Sequence, residues 1–161
     1  MKLGIIIICY NIENDIHISR CIKYLNKIKD IEVCLVNNNS KDNTYSVLKE
    51  IKEECRNVSI VNIKKFKSDN SAVKAGARFM SNQFNLKHIG FISSNTIDKC
   101  EDLSVLIKTI RDNQMYISMY NENLSKKKEI KLTLFQSLFS VMDYLAKLNI
   151  KHKQNSLNPL M

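Results

Sequence analysis

Glu32-Val33-Cys34-Leu35-Val36-Asn37-Asn38-Asn39-Ser40-Lys41-Asp42-Asn43-Thr44 is the stretch whose reading decides the fold. Val33 to Val36 are apolar without a break, the pattern of a parallel strand covered on both faces. The polar run that follows suits a tight turn. Asn38-Asn39-Ser40 tolerate unusual backbone angles, and Ser40 or Asp42 can cap a helix beginning near Thr44. A polar loop that carries a strand's carboxyl end into a helix amino terminus is where open α/β sheets bind nucleotides and phosphates. Many such turns bind nothing, so the surrounding chain has to decide.

Working outward, Leu3 to Cys9 is rich in β-branched isoleucine and is predicted as a buried first strand, followed by the loop Tyr10-Asn11-Ile12-Glu13. Ile18, Cys21, Ile22, Leu25 and Ile28 stripe one helix face. A second helix over Tyr45–Cys55 turns Val47, Leu48 and Ile51 inward and Lys49, Glu50, Lys52 and Glu53 outward. Val58 to Ile63 is a third strand and Lys64 to Ser71 a basic, polar loop. A helix over Ser71–Gln83 packs through Ala72, Ala75, Gly76 and Phe79. Glycine inside a helix costs roughly 1 kcal/mol relative to alanine, so Gly76 predicts a close approach by another element. His88 to Ile92 is a fourth strand, ending in the loop Ser93-Ser94-Asn95-Thr96.

Leu103, Leu106, Ile107 and Ile110 mark another helix, and Met115 to Tyr120 reads as a fifth strand. Asn121 to Glu129 is a charged loop. Leu132, Phe135, Leu138, Phe139, Met142 and Leu145 then stripe a last amphipathic helix, read as core packing, with interfacial membrane binding as the alternative. This alternation predicts a three-layer α/β fold, a mostly parallel sheet with helices on both faces, in a single domain spanning residues 1–161.

Composition narrows the function. Hydrophobic residues make up 44% and charged residues 25% of 161, which excludes a disordered chain. Gly4, Gly76 and Gly90 assemble no glycine-rich phosphate loop. A net charge of +9 favours an anionic partner: a nucleotide diphosphate, a lipid phosphate, a membrane surface or a nucleic acid. The alternative is that the lysines simply solvate helix faces. Local clusters are Lys64-Lys65-Phe66-Lys67 and Lys126-Lys127-Lys128. No nucleic-acid module is recognisable, and the aromatics are not interleaved with the lysines. Cysteines at 9, 21, 34, 55 and 100 form no metal-ligand pattern and read as buried free thiols in a reducing compartment. Met1-Lys2 runs straight into the first strand without a signal peptide's cleavage region, and the longest apolar run, Gly4 to Tyr10, is far shorter than a membrane span. The expectation is a cytoplasmic chain, with a membrane-peripheral placement left open. His17, His88 and His152 lie at no readable spacing from a nucleophile and an acidic orienter. A receiver-like domain wants paired acids after its first strand, where only Glu13 and Asp15 stand.

Four segments together resemble the inverting family 2 glycosyltransferases, in order and spacing, over roughly residues 3 to 110. Ile8-Cys9-Tyr10-Asn11 stands where that family has Pro/Cys-x-Tyr-Asn-Glu, although Ile12 intervenes before Glu13. Val36 to Thr44 is similar to V-D-D-G-S-x-D-N-T. Ser71-Ala72-Val73-Lys74-Ala75-Gly76 resembles an A-x-A-x-x-x-G helix. Ile89-Gly90-Phe91-Ile92-Ser93-Ser94-Asn95 sits where a strand runs into Asp-x-Asp. The particular likeness is to the branch similar to dolichyl-phosphate mannose and glucose synthases.

The resemblance implies a GT-A fold and a nucleotide-sugar donor of the UDP or GDP type. It places nucleotide binding at Cys9, Tyr10, Asn11, Glu13, Asn38, Ser40, Ser71 and Lys74. The diphosphate and metal site falls at Ser93, Ser94 and Asn95. In the family a divalent metal bound through Asp-x-Asp holds the diphosphate, an aspartate of the second motif binds the base, and a later acid serves as general base. Here Asn38 stands for the base-binding aspartate, and Ser93 and Asn95 for the metal pair. Asparagine still offers a donor and an acceptor to a base, but neutral groups serve Mg²⁺ or Mn²⁺ poorly. No cofactor is therefore expected, unless other carboxylates rescue the site. Asp98, Glu101 and Asp102 lie nearby and read as helix caps.

The likeness weakens beyond residue 110. Ile150 to Ser156 resembles a family segment containing Thr-Gln-Cys-Gly but has none of its chemistry. The acceptor half reads as truncated, with no carboxylate to nominate as general base. Two functions follow. One is an active, metal-independent transferase in which Lys64, Lys65 and Lys67 neutralise the diphosphate. The other is a degenerate domain that binds a nucleotide or a partner protein and transfers nothing, which the missing acids favour. Tyr10, Asn38 and Ser93 are expected around one hollow.

Overall fold

The computed structural model describes residues 2–100, 102–119, 133–135 and 137–157. At its centre lie β1 (Lys2–Cys9) and β2 (Ile31–Asn38). Ile5, Ile6, Ile7 and Ile8 are completely buried, and they alternate between two separate cores, Ile5 and Ile7 on one face and Ile6 and Ile8 on the other. That explains an unbroken apolar run: a central strand has no solvent face. All eight residues of β2 are buried for the same reason. Each fully buried isoleucine, leucine or valine contributes about 1.5–3 kcal/mol.

The remaining strands are β3 (Val58–Ile63), β4 (Leu86–Ile92) and β5 (Phe139–Ser140), in the order β3-β2-β1-β4-β5 with every pairing parallel. Helices α1 (Ile18–Leu25), α2 (Thr44–Glu54) and α5 (Leu103–Asp112) cover one face. Helix α3 (Asp69–Gln83) covers the other. Gly76 is the contact point predicted for it: a Cβ there would stand 3.0 Å from the Ile6 Cγ2 and 3.1 Å from the Val36 Cγ2. The buried stripe of α3 is Ala72, Val73, Gly76, Ala77 and Met80, while Ala75 and Phe79 are only partly buried.

Several expectations are corrected. Of the strand expected over Met115–Tyr120, the described residues form none; Gln114–Ser118 is a short helix, α6, with Ile117 buried and Met115 exposed, and Tyr120 lies outside the described residues. Apolar alternation over so few residues fits either geometry, and packing chooses. The fifth strand is instead Phe139–Ser140, pairing with Gly90–Phe91. The single helix predicted through Leu132 to Leu145 is therefore broken. Helix α7 begins at Val141 and runs to Leu157, whereas Phe135 and Leu138 precede the strand and pack on the α3 side. Gly90 admits this arrangement, because a Cβ there would lie 2.6 Å from the Val141 Cγ2. Asn95 and Thr96, expected in a loop, open helix α4 (Asn95–Cys100). Leu132, the loop Asn121–Glu129 and Lys126-Lys127-Lys128 lie outside the described residues.

Cys9, Cys21, Cys34 and Cys55 are free and buried. Among the described residues, no helix is long and apolar enough to cross a membrane.

Candidate functional site

From β1 the sheet grows in both directions, through β2 to β3 and through β4 to β5. The strand order reverses here, and the carboxyl ends at such a point form the usual ligand crevice of open α/β sheets. Register sets Cys9 beside Asn37 and Ile7 beside Ile92, so Tyr10, Asn38 and Ser93 follow on three neighbouring strands.

The loops after β1 and β2 are tied together by side chains. The Asn11 N–H donates to Ser40 Oγ at 3.0 Å, and the Lys41 N–H donates to Asn11 Oδ1 at 2.8 Å. The Ile12 N–H donates to Thr44 Oγ1 at 2.9 Å and the Glu13 N–H to Asp42 Oδ2 at 3.1 Å. The Glu13 carboxylate accepts from the backbone and side-chain amides of Asn43 at 3.2 and 3.1 Å. Asn11 and Asn39 have φ of 48° and 53°, the left-handed conformation asparagine tolerates best after glycine. Asp42 accepts from the Thr44 N–H at 3.0 Å, so it serves the start of α2 as expected, although Asn43 occupies the cap position. Burial works against the charge on Asp42. The hydroxyl and N–H of Thr44 and the N–H of Glu13 outweigh that and hold its carboxyl below the usual 3.8. Asn11, Glu13 and Ser40 thus spend polar atoms on one another's loops.

The Asn38 amide is engaged twice by a single residue. Its Nδ2 donates to the Lys67 carbonyl at 2.8 Å and its Oδ1 accepts from the Lys67 N–H at 3.0 Å. Phe66, next in the same loop, places its ring centroid 5.0 Å from that of Tyr10 at an interplanar angle of 60°. Cys9 is completely buried and its thiol belongs to the core. Burial, with the neighbouring Cys21 and Cys34, pushes that thiol far up.

At the end of β4 the Ser93 hydroxyl donates to Asn95 Oδ1 at 2.7 Å. Ser94 gives its N–H and hydroxyl to the Asp69 carboxylate, at 2.9–3.0 Å. Two hollows flank Ser93: one of about 360 Å³ reaches Asn95, Ser140 and Asp143, and one of about 250 Å³ reaches Asp69, Lys74 and Phe135. Lys74 Nζ lies 5.5 Å from the Phe135 ring centre. Ser71 sits in the first turn of α3, where its N–H is capped by Ser68 Oγ at 3.2 Å. A third hollow, about 390 Å³, lies beyond the end of β2 beside Asn37, Ser40, Asn62 and Lys64. The Asn37 Nδ2 donates to Asn62 Oδ1 at 2.9 Å, while its Oδ1 is buried without a hydrogen-bond partner. The single hollow expected around Tyr10, Asn38 and Ser93 is not found among these three; Tyr10 and Asn38 line none of them.

Asp69 and Asp143 were not foreseen as site residues. Asp69 follows the cap Ser68 in the first turn of α3, where an acid reads as a dipole partner, and its approach to Ser94 spans 25 residues of sequence. Asp102 caps α5, accepting from the Ser104 N–H at 2.6 Å. The side chains of Asp98 and Glu101 lie outside the described residues. Among those described, no three His, Cys, Asp or Glu side chains gather where a metal ion could be held. Ser93 and Asn95 are neutral, and Asp69 already accepts from Ser94 through both oxygens, so this donor set does not suit a hard divalent cation.

Among solved structures, S. aureus TarS 1-349 is similar, at 16% identity and a TM-score of 0.48 over 75% of this chain and 33% of that one. The same protein in complex with UDP gives 17% and 0.48 over 75% and 33%. Its complex with UDP-GlcNAc gives 19% and 0.41 over 62% and 30%. The chain spans a third or less of the length of these structures. No curated protein matches it. Over residues 4–157 the sequence matches the family model of glycosyl transferase family 2, and the chain belongs to that family.

Proposed function

We propose that this chain is a nucleotide-sugar-binding domain of GT-A type, from the branch resembling dolichyl-phosphate mannose and glucose synthases, whose metal site is degenerate and which transfers no sugar. The observation that carries the reading is the 2.7 Å hydrogen bond from Ser93 to Asn95. Where the family places acids for a cation, a hydroxyl and an amide here satisfy each other. A diphosphate would be neutralised by Lys64, Lys65 and Lys67, all exposed, with Lys64 lining the hollow at the end of β2. The same lysines suit an anionic lipid surface, which makes a cytoplasmic, membrane-peripheral placement part of the proposal.

Calorimetry with UDP and GDP, with and without Mn²⁺, tests it. The expected result is nucleotide affinity that Mn²⁺ leaves unchanged, and a Mn²⁺-dependent gain in the double variant S93D/N95D. Metal-dependent micromolar affinity in the unmodified chain overturns the degenerate reading. Absence of binding at millimolar nucleotide turns the domain into a protein-interaction module.

Asp69 favours the alternative of an active, metal-independent transferase. It brings a carboxylate to the hollow that Lys74 and Ser93 also line. Sugar release from UDP- or GDP-sugars that disappears in D69N is the result that selects this alternative.

A further inference from the structure

We propose that Asn38 is a positioning residue: it seats Phe66 against Tyr10, and this aromatic pair, rimmed by Lys64, Lys65 and Lys67, is the platform for the base of a nucleoside diphosphate that the Asn38 amide itself does not touch. The platform rests on the nucleotide-binding reading above; the positioning role does not.

Asn38 is the last residue of β2 and is 1% exposed. Its donor and its acceptor both go to the backbone of Lys67, 29 residues away. The side-chain amide therefore copies a peptide group and extends the β2–β3 pairing into the loop that follows β3. A primary amide does this because it offers both an N–H and a carbonyl on one plane; a carboxylate accepts only. The family's aspartate at this position would set an oxygen against the Lys67 carbonyl. An aspartate-to-asparagine exchange that looks like weakened base recognition is, in this fold, what holds the loop down.

Phe66 shows what the clasp accomplishes. It adjoins Lys67, so fixing that backbone fixes the direction of its ring. The ring stays 55% exposed and meets Tyr10, itself 37% exposed, in the loop that follows β1. Large aromatic surfaces left open beside like charges are suited to a stacked, anionic ring system. The flanking lysines are exposed and meet the charge of a diphosphate without requiring a metal.

Hydrogen exchange over residues 64–68 and calorimetry with UDP and GDP test both parts, in the unmodified chain, N38D and F66A. Phe66 is largely exposed, so F66A leaves folding intact. In N38D, exchange across 64–68 is expected to accelerate about tenfold at pH 8 relative to the unmodified chain. The difference should shrink near pH 4, where a protonated carboxyl regains a donor. Nucleotide affinity should fall on the order of tenfold in F66A, the scale of one lost stacking contact. It should fall, not rise, in N38D at pH 8. Unchanged exchange together with tighter nucleotide binding in N38D overturns the positioning role and makes Asn38 a base reader. Unchanged affinity in F66A overturns the platform while the function stands. No binding by the unmodified chain overturns the function itself, whatever the exchange shows.

Discussion

Two regions along the carboxyl end of one sheet use similar residues in opposite ways. After β1 and β2 the hydroxyls, amides and carboxylates of Asn11, Glu13, Ser40, Asp42 and Thr44 are joined in a closed set of hydrogen bonds between two loops. After β4, Ser93, Ser94 and Asn95 make a short local pair and hold one carboxylate, and they stand between two open hollows. Both are polar turns at strand carboxyl ends, and by residue type alone both are binding sites. The closed set also borders a hollow, beside Asn37, Ser40 and Asp42, so the difference lies in the polar groups: a neighbouring loop consumes donors and acceptors after β1 and β2, whereas after β4 most of the bonds are local. β1 and β2 are adjacent with loops of matching reach; β4's neighbour on its other side is a strand of only two residues.

The closed end breaks most severely at Thr44. Its hydroxyl accepts from the buried Ile12 N–H and donates to Asp42. Thr44→Val keeps the shape and strands the N–H, so unfolding in urea should show a loss of about 2–3 kcal/mol. At the open end, Asp69→Asn keeps one acceptor for Ser94 and sits half-buried, so the same measurement should show only about 1 kcal/mol. Equal losses at the two positions would erase the distinction.

The smallest effect is a titration. Asp42 has its folded carboxyl held below the usual 3.8, so its contribution is fully present above that value and fades as pH falls through the folded value. Stability measured between pH 6 and pH 2 should therefore drop less steeply in Asp42→Asn. An unaltered slope would mean that Asp42 is not among the charges holding the closed end.

Much of the architecture was legible because burial writes itself into composition. Central strands lack a solvent face, hence the unbroken runs at Ile5–Ile8 and Val33–Val36. A glycine in a helix betrayed the approach of α3 to β1 and β2 at Gly76. Short elements carried no such mark. Gln114–Ser118 buries one side chain, and Phe139–Ser140 is held by β4 and by room left at Gly90 instead of by its own pattern. The candidate site was half legible. Register brought the ends of β1, β2 and β4 together as read, whereas the engagement of Asn38 by Lys67 and of Asp69 by Ser94 joins residues 29 and 25 positions apart.

By itself, the sequence determined the class of the fold, the order of its long elements and the polar residues of the turns. Periodicity and residue chemistry are local properties that every window of the chain displays. Tertiary structure alone decided which of those polar groups remain free, because a hydrogen bond between two loops depends on where the sheet sets them down and leaves no trace in either loop's own sequence.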